Sequence, residues 1–152
     1  MRMIRIFLSS PGDCQDERAT AHAVAARLNV DPLVASFATL EVVAWDWATG
    51  APLDALASPQ VSVNRRLATP EQCDIFVGIF RCRFGTPMPT TEFRRDDGSA
   101  FSSGTEYEFD RAWRARRAGA VAPEILIYRL DAHGTQVCQD QPQLELLEAF
   151  FD

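Results

Sequence analysis

Asp74-Ile75-Phe76-Val77-Gly78-Ile79-Phe80 decides the fold. It is apolar almost without interruption and built of β-branched and aromatic residues. A half-buried strand alternates apolar and polar positions. A continuous run of this length belongs to a central strand of a parallel sheet, covered on both faces. Its one glycine, Gly78, marks a place where backbone or ligand approaches closely.

Outward from this strand the pattern alternates. Ile4-Arg5-Ile6-Phe7-Leu8 reads as a first strand, Leu40 to Trp45 as a second and Glu124 to Tyr128 as a fourth. Between and after them lie helical patterns. Residues Asp13 to Leu28 are alanine-rich, with Ala19, Val24, Ala25 and Leu28 on helical spacing, Asp13 as N-cap and Asp16 and Glu17 in the first turn. Gln60 to Leu67 is a short helix, Gly104 to Ala118 a longer one, and Gln143 to Phe151 a last one presenting Leu144, Leu147 and Phe151 on one face. Alternating strands and helices imply a parallel sheet with right-handed crossovers. The expected strand order is 2-1-3-4, which sets the loops after the first and third strands side by side at the switch point. Phe84 to Phe101 is irregular, and loops that long are usually functional or mobile.

Composition bounds the function. At 152 residues and 47% hydrophobic, the chain is one domain with enough apolar mass for a core. No apolar run reaches the ~18–20 residues of a membrane span, and no secretory signal opens the chain, so a cytoplasmic location is expected. A net charge of −6 argues against general nucleic-acid affinity. All 15 basic residues are arginine. Without lysine there is no Schiff base and no P-loop, and a phosphate must be met by arginine, hydroxyls or backbone amides. Cys14, Cys73, Cys82 and Cys138 are scattered and expected to pack as small apolar residues. With only His22 and His133 beside them, no metal site is expected.

The candidate site lies at the carboxyl ends of the strands. Ser102-Ser103-Gly104-Thr105-Glu106-Tyr107-Glu108-Phe109 opens a helix, where unpaired N–H groups and the helix dipole gather. Ser103 and Glu106 fit a capping box, with Glu106 folding back to the N–H of the cap. Glu108 is not needed for the cap. It either leans into the crevice or faces solvent paired with Arg111. Ser9-Ser10-Pro11-Gly12-Asp13 can hold a phosphate or ribose hydroxyl, or is simply a turn with a helix cap. Arg81 could pair with a diphosphate and Phe84 could stack on a base; the plainer reading is a surface arginine and a core aromatic. Trp45 and Trp47 are a lid, a platform or ordinary packing. Cys14 at a helix start could have a lowered pKa, but no histidine is placed to activate it.

Three blocks together carry a resemblance: Ile6 to Asp13 with Glu17-Arg18, Cys73 to Phe80 with Arg83-Phe84-Gly85, and Ser103 to Phe109. They resemble a family of TIR-like domains of uncharacterised function, which stand at the N-terminus of signal-transducing STAND-type NTPases, including antiphage proteins. That family is similar to TIR domains and to nucleoside 2-deoxyribosyltransferases. In the transferases a Gly-Thr-x-x-Glu segment carries the nucleophile. Gly104-Thr105-Glu106-Tyr107-Glu108 matches that spacing and points to Glu108. TIR enzymes use a glutamate on this helix to cleave the nicotinamide–ribose bond of NAD. The second carboxylate of the transferases has no assignable counterpart here.

The resemblance implies a flavodoxin-like, TIR-like three-layer α/β sandwich with a parallel sheet of four to five strands. It implies an effector module that hydrolyses NAD or a related nucleotide when it oligomerises, with NAD as substrate and no cofactor. Glu108 would be catalytic. Ser9, Ser10, Asp13, Trp45, Arg81, Phe84, Gly104 and Thr105 would bind substrate. The expected partners are the nucleotide, further copies, and further domains of a longer chain, since the sequence stops at Asp152 in a helix-like pattern; no nucleic acid or membrane is expected. The rivals are a non-enzymatic self-association module and a deoxyribosyltransferase-like enzyme.

Overall fold

Four parallel strands carry the molecule: β1 (Arg2–Ser9), β2 (Ala38–Ala44), β3 (Ile75–Phe80) and β4 (Glu124–Arg129), in the order β2-β1-β3-β4. The structure is a computed structural model that describes residues 1–44, 68–88, 93–130 and 138–152. The helices are α1 (Gln15–Val30), the short α2 (Pro32–Ala35), α3 (Gly104–Arg117) and α4 (Gln141–Phe151), with a 3-10 turn at Pro70–Gln72. The α/β class, the flavodoxin-like arrangement and the strand order are those expected from the sequence. The expected helix over Gln60 to Leu67 and the tryptophan pair Trp45 and Trp47 lie outside the described residues.

Register fixes which side chains share a face. Phe7 pairs with Phe76 and Ser9 with Gly78 across β1 and β3, and Phe76 pairs with Ile125 of β4. Phe7 and Phe76 stack with ring centroids 6.0 Å apart and pack with Ala112 and Phe109 of α3. Phe80 packs with Leu147 and Phe150 of α4. The opposite face carries Leu8 and Ile79, which meet Cys14 and Ala21 at α1. Each fully buried phenylalanine contributes roughly 1.5–3 kcal/mol of hydrophobic stabilisation. A Cβ at Gly78 would lie 2.8 Å from Cδ1 of Ile127, so the close approach there is by the tip of a partly buried β4 side chain.

Several local expectations are corrected. Cys14, not Asp13, is the N-cap of α1, and no side chain caps it. Of the apolar α1 positions only Ala25 is buried; Ala19 is exposed, and Val24 and Leu28 remain 49% and 38% exposed. The buried side of α1 is instead the line Cys14, Arg18, Ala21 and Ala25, spaced three and four residues apart. Asp31, beyond α1, accepts from the N–H of Leu33 at 2.9 Å and starts the unexpected α2, with Pro32 at its first position. On α4, Leu147 is fully buried, whereas Phe151 lies partly exposed at the rim.

The cysteines divide. Cys14 and Cys73 are buried thiols, as expected. Cys82 and Cys138 are joined in a disulfide with Cα atoms 5.4 Å apart, which corrects the expectation of four packed thiols. Spacing could not reveal the pair, because the fold folds the loop after β3 against the start of α4. Among the described residues no helix is long and apolar enough to cross a membrane.

Candidate functional site

The site is built at the carboxyl ends of β1 and β3, where α3 begins. Ser9, the last residue of β1, is 1% exposed, and Glu108, in the second turn of α3, is 6% exposed. The Ser9 hydroxyl donates to Oε2 of Glu108. Two residues 99 apart in sequence therefore form a buried hydrogen-bonded pair at the switch point. The solvated alternative for Glu108 does not hold, because Arg111 turns the other way. Its Nε donates to both carboxylate oxygens of Glu71 at 2.9 Å, and its Nη1 donates to the Tyr107 hydroxyl at 2.6 Å.

The start of α3 explains how Glu108 is held. Ser103 is N-cap, its Oγ accepting the N–H of Glu106 at 3.1 Å and donating to the Phe84 carbonyl at 2.9 Å. Glu106 is structural, as expected, but its Oε2 takes the N–H of Ser102 at 2.6 Å rather than that of the cap, and Oε1 pairs with Arg95. Gly104 and Thr105 are the first two helix residues, and Thr105 is buried. Gly85 packs against them with φ +124°, where a Cβ would lie 3.0 Å from both Ser103 Cβ and Thr105 Oγ1. Only glycine fits this backbone and this seam.

The remaining candidates are placed as follows. Ser10 lies beside Ser9, and its Oγ accepts from Nη1 of Arg18 at 2.9 Å. Asp13 is turned to the chain itself: Oδ2 accepts the N–H groups of Cys82 and Arg83 at 3.0 and 3.2 Å. Arg81 pairs with Glu17 of α1. Phe84 is 2% exposed, with its ring 5.1 Å from that of Phe150, so it is a core aromatic and offers no stacking surface. Trp45 lies outside the described residues. The structure thus brings Ser9 and Glu108 together, sets Ser10, Gly104 and Thr105 near that end of the sheet, and ties Asp13 and Arg81 into bracing contacts.

Two residues beyond the sequence-derived set shape this rim. Arg18 is buried and donates to the carbonyls of Ser10 and Pro11 at 3.3 and 3.0 Å, fixing the β1–α1 turn. In sequence it stands directly after Asp16-Glu17 at the head of the alanine-rich run, where it reads as one more charged residue of the first turn. Buried Gln143 accepts the N–H groups of Phe84 and Gly85 on Oε1 at 2.9 and 3.0 Å, and nothing in its sequence neighbourhood marks that role. Burial pushes the Cys14 thiol up to about 12, helped by Asp13, so it is no nucleophile. Among the described residues no group of three His, Cys, Asp or Glu side chains is gathered to hold a metal.

This architecture defines a flavodoxin-like α/β domain with a Ser–Glu pair at the carboxyl edge of its sheet. The chain belongs to the family described as a domain of unknown function (DUF4062), which it matches over residues 5–141. No curated protein and no solved structure matches it.

Proposed function

We propose that the chain is a TIR-like effector domain that hydrolyses the N-glycosidic bond of NAD or a related nucleotide, with Glu108 as catalytic carboxylate. What supports the reading is the buried Ser9–Glu108 pair at the carboxyl rim of the sheet, the usual ligand edge of such folds. Breaking the bond between ribose C1′ and the nicotinamide nitrogen sends the electron pair to the ring, which leaves neutral. Positive charge then develops on the ribose carbon, and the carboxylate stabilises or traps it. Water supplies the hydroxyl that replaces nicotinamide, and one proton is released. Ser9 orients the carboxylate, and the Gly104-Thr105 turn supplies amides for substrate oxygens. Further domains of a longer chain would drive oligomerisation, as in antiphage defence proteins.

A second reading, a non-enzymatic interaction module, is favoured by Asp13, Arg81 and Phe84 being absorbed in the fold. Nicotinamide release from NAD, followed by chromatography on the concentrated protein and on oligomers forced by fusion, separates the two. Release is expected in the wild type and lost in Glu108→Gln, whose amide oxygen still accepts from Ser9. No release from the wild type, or equal release from the variant, refutes the enzyme.

A further inference from the structure

The apolar surface that the site does not use is on the other face of the sheet. Beside α1 runs an open groove of about 540 Å³, its floor formed by residues such as Ile6, Val77, Ile79 and Leu130 and its wall by Val24 and Leu28. Tyr128 on its far side is 55% exposed. Among the described residues no element covers it. A parallel sheet is normally buried on both faces, and a groove one helix wide beside a helix is the form such a gap takes.

A second observation concerns α1 itself. From Ala19 to Val30 it carries one formal charge, Arg27. Its outward line is Ala19, Ala23, Ala26 and Val30, all exposed, and the flank toward the groove is Val24 and Leu28. The outward line is an apolar stripe on a helix of mixed composition, and it adjoins the apolar floor and wall of the groove.

We propose that this surface is the interface of a two-fold dimer in which α1 of each copy lies in the groove of the other. The two α1 helices run antiparallel, side by side, between the two sheets. The alanine line of each meets the partner's groove floor, and Val24 and Leu28 meet between the helices. Small residues permit that close approach, and the contact is self-complementary as two-fold symmetry demands. Area agrees. A 16-residue helix is ~24 Å long, and two helix widths make the patch ~20 Å across, or ~1,000 Å² buried in total, the lower bound for a specific interface. This inference is independent of the NAD reading.

Light scattering after gel filtration, with the chain at up to ~100 µM, tests it. A dimer is expected for the wild type, and a monomer for Ala23→Glu, an exposed position where glutamate keeps helix propensity. Circular dichroism checks that the variant is folded. Hydrogen exchange on the wild type gives a reading without mutation: amides of residues 15–30 and 124–130 gain protection as concentration rises, and those of α3 do not. A wild type monomeric throughout, which would leave the groove to another protein, overturns the proposal. So does a dimer indifferent to Ala23→Glu, or protection gained elsewhere.

Discussion

Removing the Ser9 hydroxyl tests the site most directly. Ser9→Ala deletes one oxygen at a position 1% exposed and takes away a donor to the Glu108 carboxylate. Removing one partner of a buried hydrogen bond costs about 1–3 kcal/mol. The alanine methyl fits the space of the serine Cβ, so no large cavity adds to the loss. At ~2 kcal/mol, a domain of this size loses roughly 4–8 °C in Tm. The assay is reversible thermal or urea unfolding of the wild type, Ser9→Ala, Glu108→Ala and the double variant. The expected coupling between the two sites is about 1–3 kcal/mol, because the second substitution removes a bond already lost. Additive effects within ~0.5 kcal/mol would mean that the two side chains do not interact in solution, and the description of the rim would be wrong.

Other consequences are open to measurement. Gly85→Ala combines positive φ with Cβ contacts at 3.0 Å, so urea unfolding should show a loss of about 1–3 kcal/mol, and an unchanged midpoint would contradict the seam with α3. Only unfolding should open Cys14 and Cys73 to iodoacetamide at pH 8, since burial raises their thiols to about 12 and about 11; mass spectrometry of the native, oxidised protein should find neither modified. Cys82→Ser, breaking a link across 56 residues, should destabilise by roughly 2–4 kcal/mol in oxidising buffer and not in reducing buffer. Asp74 is held below the usual carboxylate range by the Arg5 N–H and then by the Arg2 guanidinium. A depressed carboxylate contributes stability above about pH 4 that is lost as pH falls toward its folded value. Asp74→Asn should therefore flatten the acid limb of the stability–pH curve below about pH 4.

The fold was legible because its signal is dense. Seven consecutive residues from Asp74 read as a central strand and alternation with helices points to the class, whereas the order 2-1-3-4 was one choice among doubly wound arrangements that the sheet bears out. The Ser103 cap and the structural role of Glu106 were legible for the same reason, being local patterns with one mechanism. What failed depended on contacts distant in sequence. Asp13 looks like a helix cap until the loop after β3 arrives with two unpaired amides. Phe84 looks like a stacking surface until α4 closes over it. Periodicity located α1 but picked the wrong face, since alanines and polar residues are spread around the whole helix. Cys82 and Cys138 carry no spacing signal, and only the closure of α4 on the β3 loop joins them.

Gln143 hooks the amides of Phe84 and Gly85 onto one oxygen, and Ser103 clasps the same loop from α3. Hydrogen bonds of that length tolerate only fractions of an ångström of slip. The last helix and the helix of Glu108 are consequently moored to one another through a two-residue stretch of backbone, so that neither can be repacked without disturbing the other's anchorage.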